Sequence, residues 1–215
     1  EIVVPKDDTD TTEWISSDES VATVSENGEV TAVAPGETDI RIRHGSIDEA
    51  HYTVRVYAPL QSISFKETIT QMNVGDEKKL QITYDPVNTS DDKSVTWIST
   101  DKSVLKVNAD GTVTAKGPGH AKIIALVNGR ACEMEVEVFA PLQWIKLNTA
   151  TETLRLERKK ELSVIYEPEN TTDDTTVQWE SSDPSIATVD ENGVVTAVQT
   201  GKATITATVG DKTAS

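Results

Sequence analysis

Apolar and polar residues alternate in short runs along this chain. The run Leu80–Tyr84 reads LQITY, and Leu162–Tyr166 reads LSVIY, with apolar residues at the first, third and fifth positions of both. Successive side chains of a β-strand point to opposite faces, so this spacing gives each run one continuous apolar face. Both runs are predicted to be half-buried strands.

Asn-Gly and Asp-Gly steps separate many of the alternating runs. They stand at Asn27–Gly28, Asp110–Gly111 and Asn192–Gly193. Glycine adopts positive φ without steric cost, so these steps predict hairpin turns. In the central hairpin, whose tip is residues 108–111, the inward-facing residues are predicted to be Leu105, Val107, Val113 and Ala115.

Two longer alternating runs follow the central hairpin. Their predicted inward residues are Ala121, Ile123 and Ala125 in the first run, and Met134, Val136 and Val138 in the second. Turn signals recur about every 8–12 residues, and no helical periodicity of useful length is present. The predicted fold class is all-β, with seven or so short strands in a Greek-key sandwich.

One stretch of the chain occurs three times. Trp14–Ala32 reads WISSDESVATVSENGEVTA, Trp97–Ala115 reads WISTDKSVLKVNADGTVTA, and Trp179–Ala197 reads WESSDPSIATVDENGVVTA. The tryptophans are separated by 83 and 82 positions. A fixed period of this kind indicates a repeat array. We refer to the repeats as copies one, two and three, and we predict that each tryptophan packs into the core of its copy.

Two short segments with a central proline separate the copies. These joints are Ala58–Pro59–Leu60 and Ala140–Pro141–Leu142, each directly after the last predicted strand of one copy. Proline restricts the backbone, so a joint of this length is stiff, unlike a Gly/Ser tether. The predicted domains are 1–58, 59–140 and 141–215, arranged end to end as a rod.

Only copy two contains the whole pattern. Copy one has no counterpart of the first strand and most of the second strand of copy two, and copy three has none of its last strand, Cys132–Phe139. We interpret the end copies as truncated. The alternative is that each end copy accepts a strand from a neighbouring molecule, since an unpaired sheet edge is a template for strand addition.

Further motifs identify a family resemblance. Val74–Leu80 reads VGDEKKL, and Trp179–Ala207 reads WESSDPSIATVDENGVVTAVQTGKATITA. Together with the period, these motifs resemble the bacterial Ig-like domain, group 2, along the whole chain. The resemblance implies tandem Ig-like sandwiches of bacterial and phage surfaces, including adhesins similar to intimins and invasins, and implies no activity. Copy three departs at Glu157–Arg158, which replace Gly75–Asp76, and this predicts a changed turn.

Charge limits the partners that the chain can have. The sequence has 20 Lys and Arg against 36 Asp and Glu, a formal net charge of −16. A surface of this charge repels phosphate backbones and anionic lipid headgroups, so neither nucleic acid nor a membrane surface is expected as a partner. No apolar run approaches the ~20 residues of a membrane span, so no membrane insertion is expected within this segment. The expected partners are proteins or glycans of a host or neighbouring cell, bound by a monomer. The expected location is extracellular, on a bacterial surface or secreted.

Acidic loops precede the tryptophans. They are 6–12 (KDDTDTT), 88–93 (NTSDDK) and 170–175 (NTTDDT). We interpret them as solvated turns. Calcium is the alternative, because carboxylate, amide and hydroxyl oxygens suit this cation. Its candidate ligands are Asp91, Asp92, Asp173 and Asp174.

Other residues that are able to take part in catalysis or ligand binding are scattered along the sequence. His44, His51 and His120 form no motif, and Cys132 has no counterpart in the other copies, so it is predicted to be a half-buried strand residue. The repeated Ser-Ser-Asp at Ser16–Asp18 and Ser181–Asp183, with Ser99–Thr100–Asp101 in copy two, predicts a turn. Trp144 lies where copy two has Ser62. It is predicted to pack at the joint, and a ligand platform is the alternative.

These observations favour a non-enzymatic stalk or adhesion segment of a bacterial surface or secreted protein, without catalytic residues or a required cofactor. The alternative is a carbohydrate- or matrix-binding module, for example an accessory to a secreted glycan-degrading enzyme, with Trp144 as its candidate ligand-binding residue. An enzyme would need a cluster of titratable groups in a cleft, and the sequence has no motif for one.

Overall fold

The computed structural model describes residues 12–44 and 47–215, and every regular element among them is a β-strand. Copy one contains β1 (Thr12–Ser16), β2 (Ala22–Val24), β3 (Val30–Ala32), β4 (Gly36–His44) and β5 (Ile47–Val56). Copy three contains β15 (Trp144–Leu147), β16 (Lys159–Glu161), β17 (Val164–Glu167), β18 (Gln178–Ser181), β19 (Ala187–Val189), β20 (Val194–Ala197), β21 (Ile205–Val209) and β22 (Lys212–Ala214).

Copy two contains nine strands, which is more than the sequence pattern predicted. They are β6 (Ser62–Phe65), β7 (Gln71–Asn73), β8 (Glu77–Lys79), β9 (Ile82–Asp85), β10 (Thr96–Ser99), β11 (Leu105–Val107), β12 (Thr112–Ala115), β13 (Gly119–Val127) and β14 (Arg130–Phe139). The count rises because the turn at Gly75 moves the chain between sheets, with β7 beside β14 and β8 beside β12. The sheets run β10-β13-β14-β7, β11-β12-β8 and β6-β9.

The predicted inward faces of copy two are the buried faces. In the central hairpin Leu105 lies opposite Ala115 and Val107 opposite Val113. All of these except the half-buried Val107 are buried, as are the predicted inward residues of the two longer strands, namely Ala121, Ile123, Ala125, Met134, Val136 and Val138. Burial of these apolar side chains is the main source of stability for the repeat.

The repeated tryptophans are half-buried. Trp97 packs in a cluster with Leu60, Ile63, Ala125 and Val127, and its ring centroid lies 6.2 Å from that of Phe65. In copies one and three the ring lies against the hairpin glycine, so that a Cβ on Gly28 would be 2.6 Å from Cζ2 of Trp14. The tryptophan therefore contacts the Asn-Gly turn as well as the core.

The chain divides into two compact units. The first comprises Leu80–Ile98, Ile124–Glu133 and the described part of Glu1–Thr68. Its core in copy two consists of Leu60, Ile63, Ala125 and Val127, against which Trp97 packs. The second comprises Ile69–Lys79, Ser99–Ile123 and Met134–Ser215, and within copy three Leu142, Ile145 and Val209 form its core. Each joint lies wholly within one unit.

The turn at Glu157 keeps the form of the turn at Gly75, so the predicted change is wrong. Gly75 N–H donates to Ala115 O at 2.9 Å, and Glu157 N–H donates to the equivalent Ala197 O at 3.0 Å. The φ angles are 95° and 64°. Glu157 therefore occupies the left-handed region, which costs a residue with a Cβ roughly 1–2 kcal/mol.

Glu157→Gly is expected to stabilise copy three by about 0.5–1 kcal/mol, because relief of left-handed strain exceeds the added entropy of the unfolded chain. Gly75→Ala, where a Cβ would meet nothing within 4 Å, should destabilise copy two through backbone strain alone. Amide exchange followed separately in copies two and three measures both effects. A Glu157→Gly variant that is not stabilised, or a Gly75→Ala variant that is not destabilised, would show that strain at this turn is unimportant.

Candidate functional site

The first joint is held by the acidic loop of the copy that follows it. The carbonyl of Ala58 accepts hydrogen bonds from Ser90 N–H at 2.9 Å and from Thr89 Oγ1 at 2.8 Å. On the other side of the proline, Leu60 N–H donates to Asp91 Oδ2 at 2.8 Å. The loop therefore binds the backbone on both sides of Pro59.

The second joint repeats this arrangement with equivalent residues. Ala140 O accepts from Thr172 N–H at 2.9 Å and from Thr171 Oγ1 at 2.8 Å. Leu142 N–H donates to Asp173 Oδ2 at 2.8 Å. We call each set of bonds a joint clamp. It contains a charged acceptor, and hydrogen bonds of this kind are stronger than neutral ones.

At most one residue lies between the end of each copy's last strand and the first residue that the clamp binds. Strand β5 ends at Val56, so Tyr57 alone separates it from the clamped Ala58. Strand β14 ends at Phe139, and the clamped Ala140 follows directly. Leu60 and Leu142 are buried, which further anchors each joint to the following copy.

The remaining two candidate calcium ligands form small turns. Asp92 Oδ1 accepts from N–H and Oγ of Ser94, and these bonds lower the pKa of the Asp92 carboxyl. Asp174 does the same with Thr176, whose hydroxyl and N–H lower the pKa of its carboxyl. All four aspartates thus have hydrogen-bonding roles in their loops, and calcium binding stays a prediction. Within residues 12–44 and 47–215, no group of three or more His, Cys, Asp or Glu is arranged to hold a metal ion.

The Ser-Ser-Asp motif of copies one and three, and its counterpart Ser99–Thr100–Asp101 in copy two, form turns. Asp18, Asp101 and Asp183 each accept hydrogen bonds at Oδ1 from N–H and Oγ of the serine two residues later. These bonds lower the pKa of Asp18 and Asp101. The motif therefore serves local structure, as predicted.

Asp110 lies at the tip of the central hairpin, and its carboxyl group has a lowered pKa. Its Oδ2 accepts from Lys79 Nζ at 2.5 Å and from Thr112 Oγ1 at 2.9 Å, and its Oδ1 accepts from Thr112 N–H at 3.1 Å. The Lys79 hydrogen bond is the largest cause that lowers the pKa of Asp110 to about 2. Copies one and three have asparagine here.

Acid should weaken copy two through Asp110. An unfolded aspartate has a pKa of about 3.9, so a lowered folded value contributes stability above that pH. The contribution is lost as pH falls toward about 2. We expect Asp110→Asn to lower the Tm of copy two at pH 6 and to leave it unchanged near pH 2. A Tm difference that is constant with pH would contradict this.

Trp144 lies on the outward face of β15, where it is 43% exposed. Lys146 Nζ lies 5.7 Å from its ring centroid, and Ile165, opposite Lys146 on β17, is 42% exposed. Copy two has Ser62, Ser64 and Thr83 at the three equivalent positions. Copy three thus carries an exposed aromatic and aliphatic surface that copy two lacks, and we call Trp144, Lys146 and Ile165 the Trp144 face.

The histidines and the cysteine have separate surroundings. His44, His51 and His120 lie on β4, β5 and β13, and His120 Nε2 is 3.5 Å from Glu137 Oε1. Cys132 is half-buried on β14, as predicted, and burial raises the pKa of its thiol. A raised pKa disfavours the reactive thiolate.

The joint-holding residues were missed by sequence reasoning, which interpreted Asp91 and Asp173 as solvated or metal-binding. The missed residues are Thr89, Ser90, Thr171 and Thr172. A signal for them exists in the sequence, since Thr and Asp recur at the same distance of about 31 residues after each joint. In copy one, residues 6–11 of the acidic loop lie outside the described residues.

The fold and the clamped joints define a tandem array of Ig-like β-sandwich repeats. The family model of the bacterial Ig-like domain (group 2) matches residues 1–54, 59–137 and 145–215. The chain belongs to this family, as its motifs predicted. Among the described residues, none lies in a helix long and apolar enough to cross a membrane.

Several known proteins are similar to this chain. An uncharacterized protein of Clostridium acetobutylicum is 28% identical over 156 residues, which are 70% of this chain and 16% of that protein. Ice-binding protein 1 of Shewanella frigidimarina is 26% identical over 211 residues, 95% of this chain and 24% of its own length. A solved Escherichia coli adhesin is 16% identical, with a TM-score of 0.42 over 94% of this chain and 81% of that one. This chain therefore spans only a small part of both sequence relatives.

Proposed function

We propose that this chain is a non-catalytic stalk segment of a bacterial surface or secreted protein, which holds a binding region away from its anchor. In this proposal the domains 1–58, 59–140 and 141–215 follow one another end to end as a rod. The partners are surface proteins or glycans of a host or neighbouring cell. The observation that carries the proposal is the pair of joint clamps.

A stalk must resist bending, and the clamps supply a physical basis for this. The clamp bonds hold Ala58 and Leu60 in the first joint and Ala140 and Leu142 in the second. The N–H groups of Ala58 and Ala140 also donate to the same loops, to Ser90 Oγ at 3.2 Å and to Thr172 Oγ1 at 3.1 Å. A buried N–H that loses a charged acceptor costs about 1.5–3 kcal/mol. Release of a joint is therefore rare, and the copies move together.

The test measures the distance distribution between two spin labels across the first joint. Labels are placed at the exposed, equivalent positions Glu19→Cys and Lys102→Cys, with Cys132→Ala to remove the native thiol. We expect a narrow distribution. Asp91→Ala should broaden it, because the population of released joints rises about tenfold or more when this bond is lost.

Asp92→Ala is the matched control, since Asp92 lies in the same loop but bonds Ser94 and not the joint. Its distribution should stay narrow. A broad distribution in the unmodified chain would contradict the stalk. A narrow one that Asp91→Ala leaves unchanged would show that the clamp is not what stiffens the joint.

The Trp144 face supports a second candidate function, binding of a carbohydrate or matrix protein. A tryptophan presents a large apolar ring with a polar edge, and it is enriched at binding surfaces. The three equivalent residues of copy two are small and hydroxylated. Copy three would then bind directly, and the other copies would position it.

Glycan and matrix-protein arrays, each with calcium and with chelator, test this second function. Trp144→Ser introduces the residue of copy two at an exposed position and should abolish saturable binding. Ser62→Ala in copy two is the control and should leave binding unchanged. Binding that survives Trp144→Ser would exclude this face, and binding lost with chelator would support the calcium alternative.

A further inference from the structure

The aromatic ring of the Trp144 face carries a cation. Lys146 Nζ lies 5.7 Å from the centroid of the Trp144 ring, a distance at which the negative face of an aromatic ring attracts a positive charge. Among the described residues, Lys146 forms no ion pair with a carboxylate. The ring is therefore the partner of this ammonium group, and it already functions as a cation acceptor.

A carboxylate lies beside the ring on the same face. Glu167 is opposite Trp144 in the pairing of β15 with β17, and it is exposed. Residues directly opposite each other in an antiparallel pair have Cβ atoms about 4.5–5.5 Å apart. Glu167 forms no ion pair with any residue that the structure describes. A cation on the ring from a partner molecule can therefore pair with Glu167 as well.

The charges around this face also favour a cationic partner. Residues 143–147 and 164–176 contain β15, β17 and the acidic loop of copy three, and all of them lie in one compact unit. They include one lysine and four carboxylates, namely Glu167, Glu169, Asp173 and Asp174. The whole chain has a net charge of −16. A field of this sign attracts positively charged partners and repels anionic ones.

Copy two has the carboxylate without the ring. Asp85 is the counterpart of Glu167, and it lies opposite Ser62. The positions of the cation and of the exposed aliphatic residue are occupied in copy two by small hydroxylated residues. The carboxylate is thus common to both copies, and the repeat folds without the other three side chains. A binding surface that is specific to copy three explains their presence.

We propose that the Trp144 face binds a basic segment of a partner polypeptide. An arginine or lysine of that segment replaces Lys146 on the ring of Trp144 and pairs with Glu167. An apolar neighbour in the segment covers Ile165. Arginine fits best, because its planar guanidinium stacks on aromatic rings and binds carboxylates through two N–H groups. The inference rests on the second candidate function, binding at this face, and it identifies the partner as a cationic polypeptide.

Nuclear magnetic resonance of the isotope-labelled whole chain tests this partner. The four tryptophans give four indole N–H signals, and the signal that is missing from Trp144→Ser belongs to Trp144. The probe is a blocked glycine-arginine-valine-arginine-glycine peptide at physiological salt. The control peptide contains citrulline, which is neutral and similar in shape, in place of arginine. We expect a saturable shift of the Trp144 signal with the arginine peptide alone, and equal shifts with both peptides would overturn the proposal.

Three further variants locate the binding and separate it from general attraction to an acidic chain. Glu167→Gln should weaken the affinity for the arginine peptide about two- to fivefold. Asp85→Asn removes the same charge from copy two and should leave the affinity unchanged. Lys146→Ser removes the competing cation and should tighten binding about two- to fivefold. Weaker binding by Lys146→Ser, or equal effects of Glu167→Gln and Asp85→Asn, would contradict the assignment.

The glycan and matrix-protein arrays distinguish this inference from the function on which it rests. A glycan that binds through Trp144, in a chain that does not respond to the arginine peptide, would overturn the basic partner and support the second candidate function. Absence of binding to the peptide and to every array component would contradict both.

Discussion

Replacing Gly193 with alanine is expected to lower the free energy of unfolding of copy three by about 3 kcal/mol, from backbone strain and overpacking together. Gly193 has a φ of 78°, in the left-handed region. A Cβ here would lie 2.7 Å from Leu162 O and 2.8 Å from Cζ2 of Trp179. Leu162 O cannot move away freely, because Leu162 N–H donates to Gly193 O at 3.0 Å.

Gly210→Ala is the control for the backbone contribution. Gly210 also has a positive φ, 56°, but a Cβ there would meet nothing within 4 Å. The expected loss is about 1 kcal/mol. Amide exchange in β19 and β20 measures both variants. Equal losses would show that the contact between Trp179 and the turn contributes nothing.

Val113→Ala is expected to destabilise copy two by about 2–3 kcal/mol, from lost burial and a new cavity. Val30→Ala in copy one should cost under about 1 kcal/mol. The two valines occupy the same position of the repeat, yet Val113 is 0% exposed and Val30 is 40% exposed. The difference follows from their sheets, since β12 pairs with both β11 and β8, whereas the described strands beside β3 comprise only β2.

Amide exchange in each hairpin, measured by mass spectrometry on the whole chain, tests this pair. Exchange in β11 and β12 should accelerate strongly in Val113→Ala, and exchange in β2 and β3 should change little in Val30→Ala. Comparable acceleration would show that the position in the repeat, and not the number of neighbouring strands, sets the cost.

In the stalk that we propose, the joint clamps are what stiffens the joints. A proline limits one φ angle, but the residues on both sides keep their freedom. Here the following copy removes that freedom by binding Ala58 and Leu60, or Ala140 and Leu142, through its own loop. The loop is part of the repeat, so every added copy can bring the clamp for the joint that precedes it.

Much of the fold could be predicted from local pattern. Alternation identified the inward faces of β11, β12, β13 and β14, and the Asn-Gly and Asp-Gly steps identified the hairpins, whose glycines have φ angles of 78–84°. These features depend on neighbouring residues, and strand periodicity records them directly. The repeated motif then indicated the Ig-like family.

The candidate site was predicted less well, because its contacts are distant in sequence. Asp91 was grouped with Asp92 as an acidic cluster, yet one binds the joint 31 residues earlier and the other binds Ser94. Two adjacent carboxylates in one loop look equivalent in a sequence. Only the folded backbone directs them to different partners.

The sequence by itself determined the all-β class, the repeat, the hairpins and the acidic surface, because each depends on local spacing or on composition. The tertiary structure alone decided that Glu157 keeps a glycine-like turn and that Asp91 and Asp173 bind the joints. These properties arise from which strands and loops meet, and long-range contacts are not recorded in the spacing of residues along the chain.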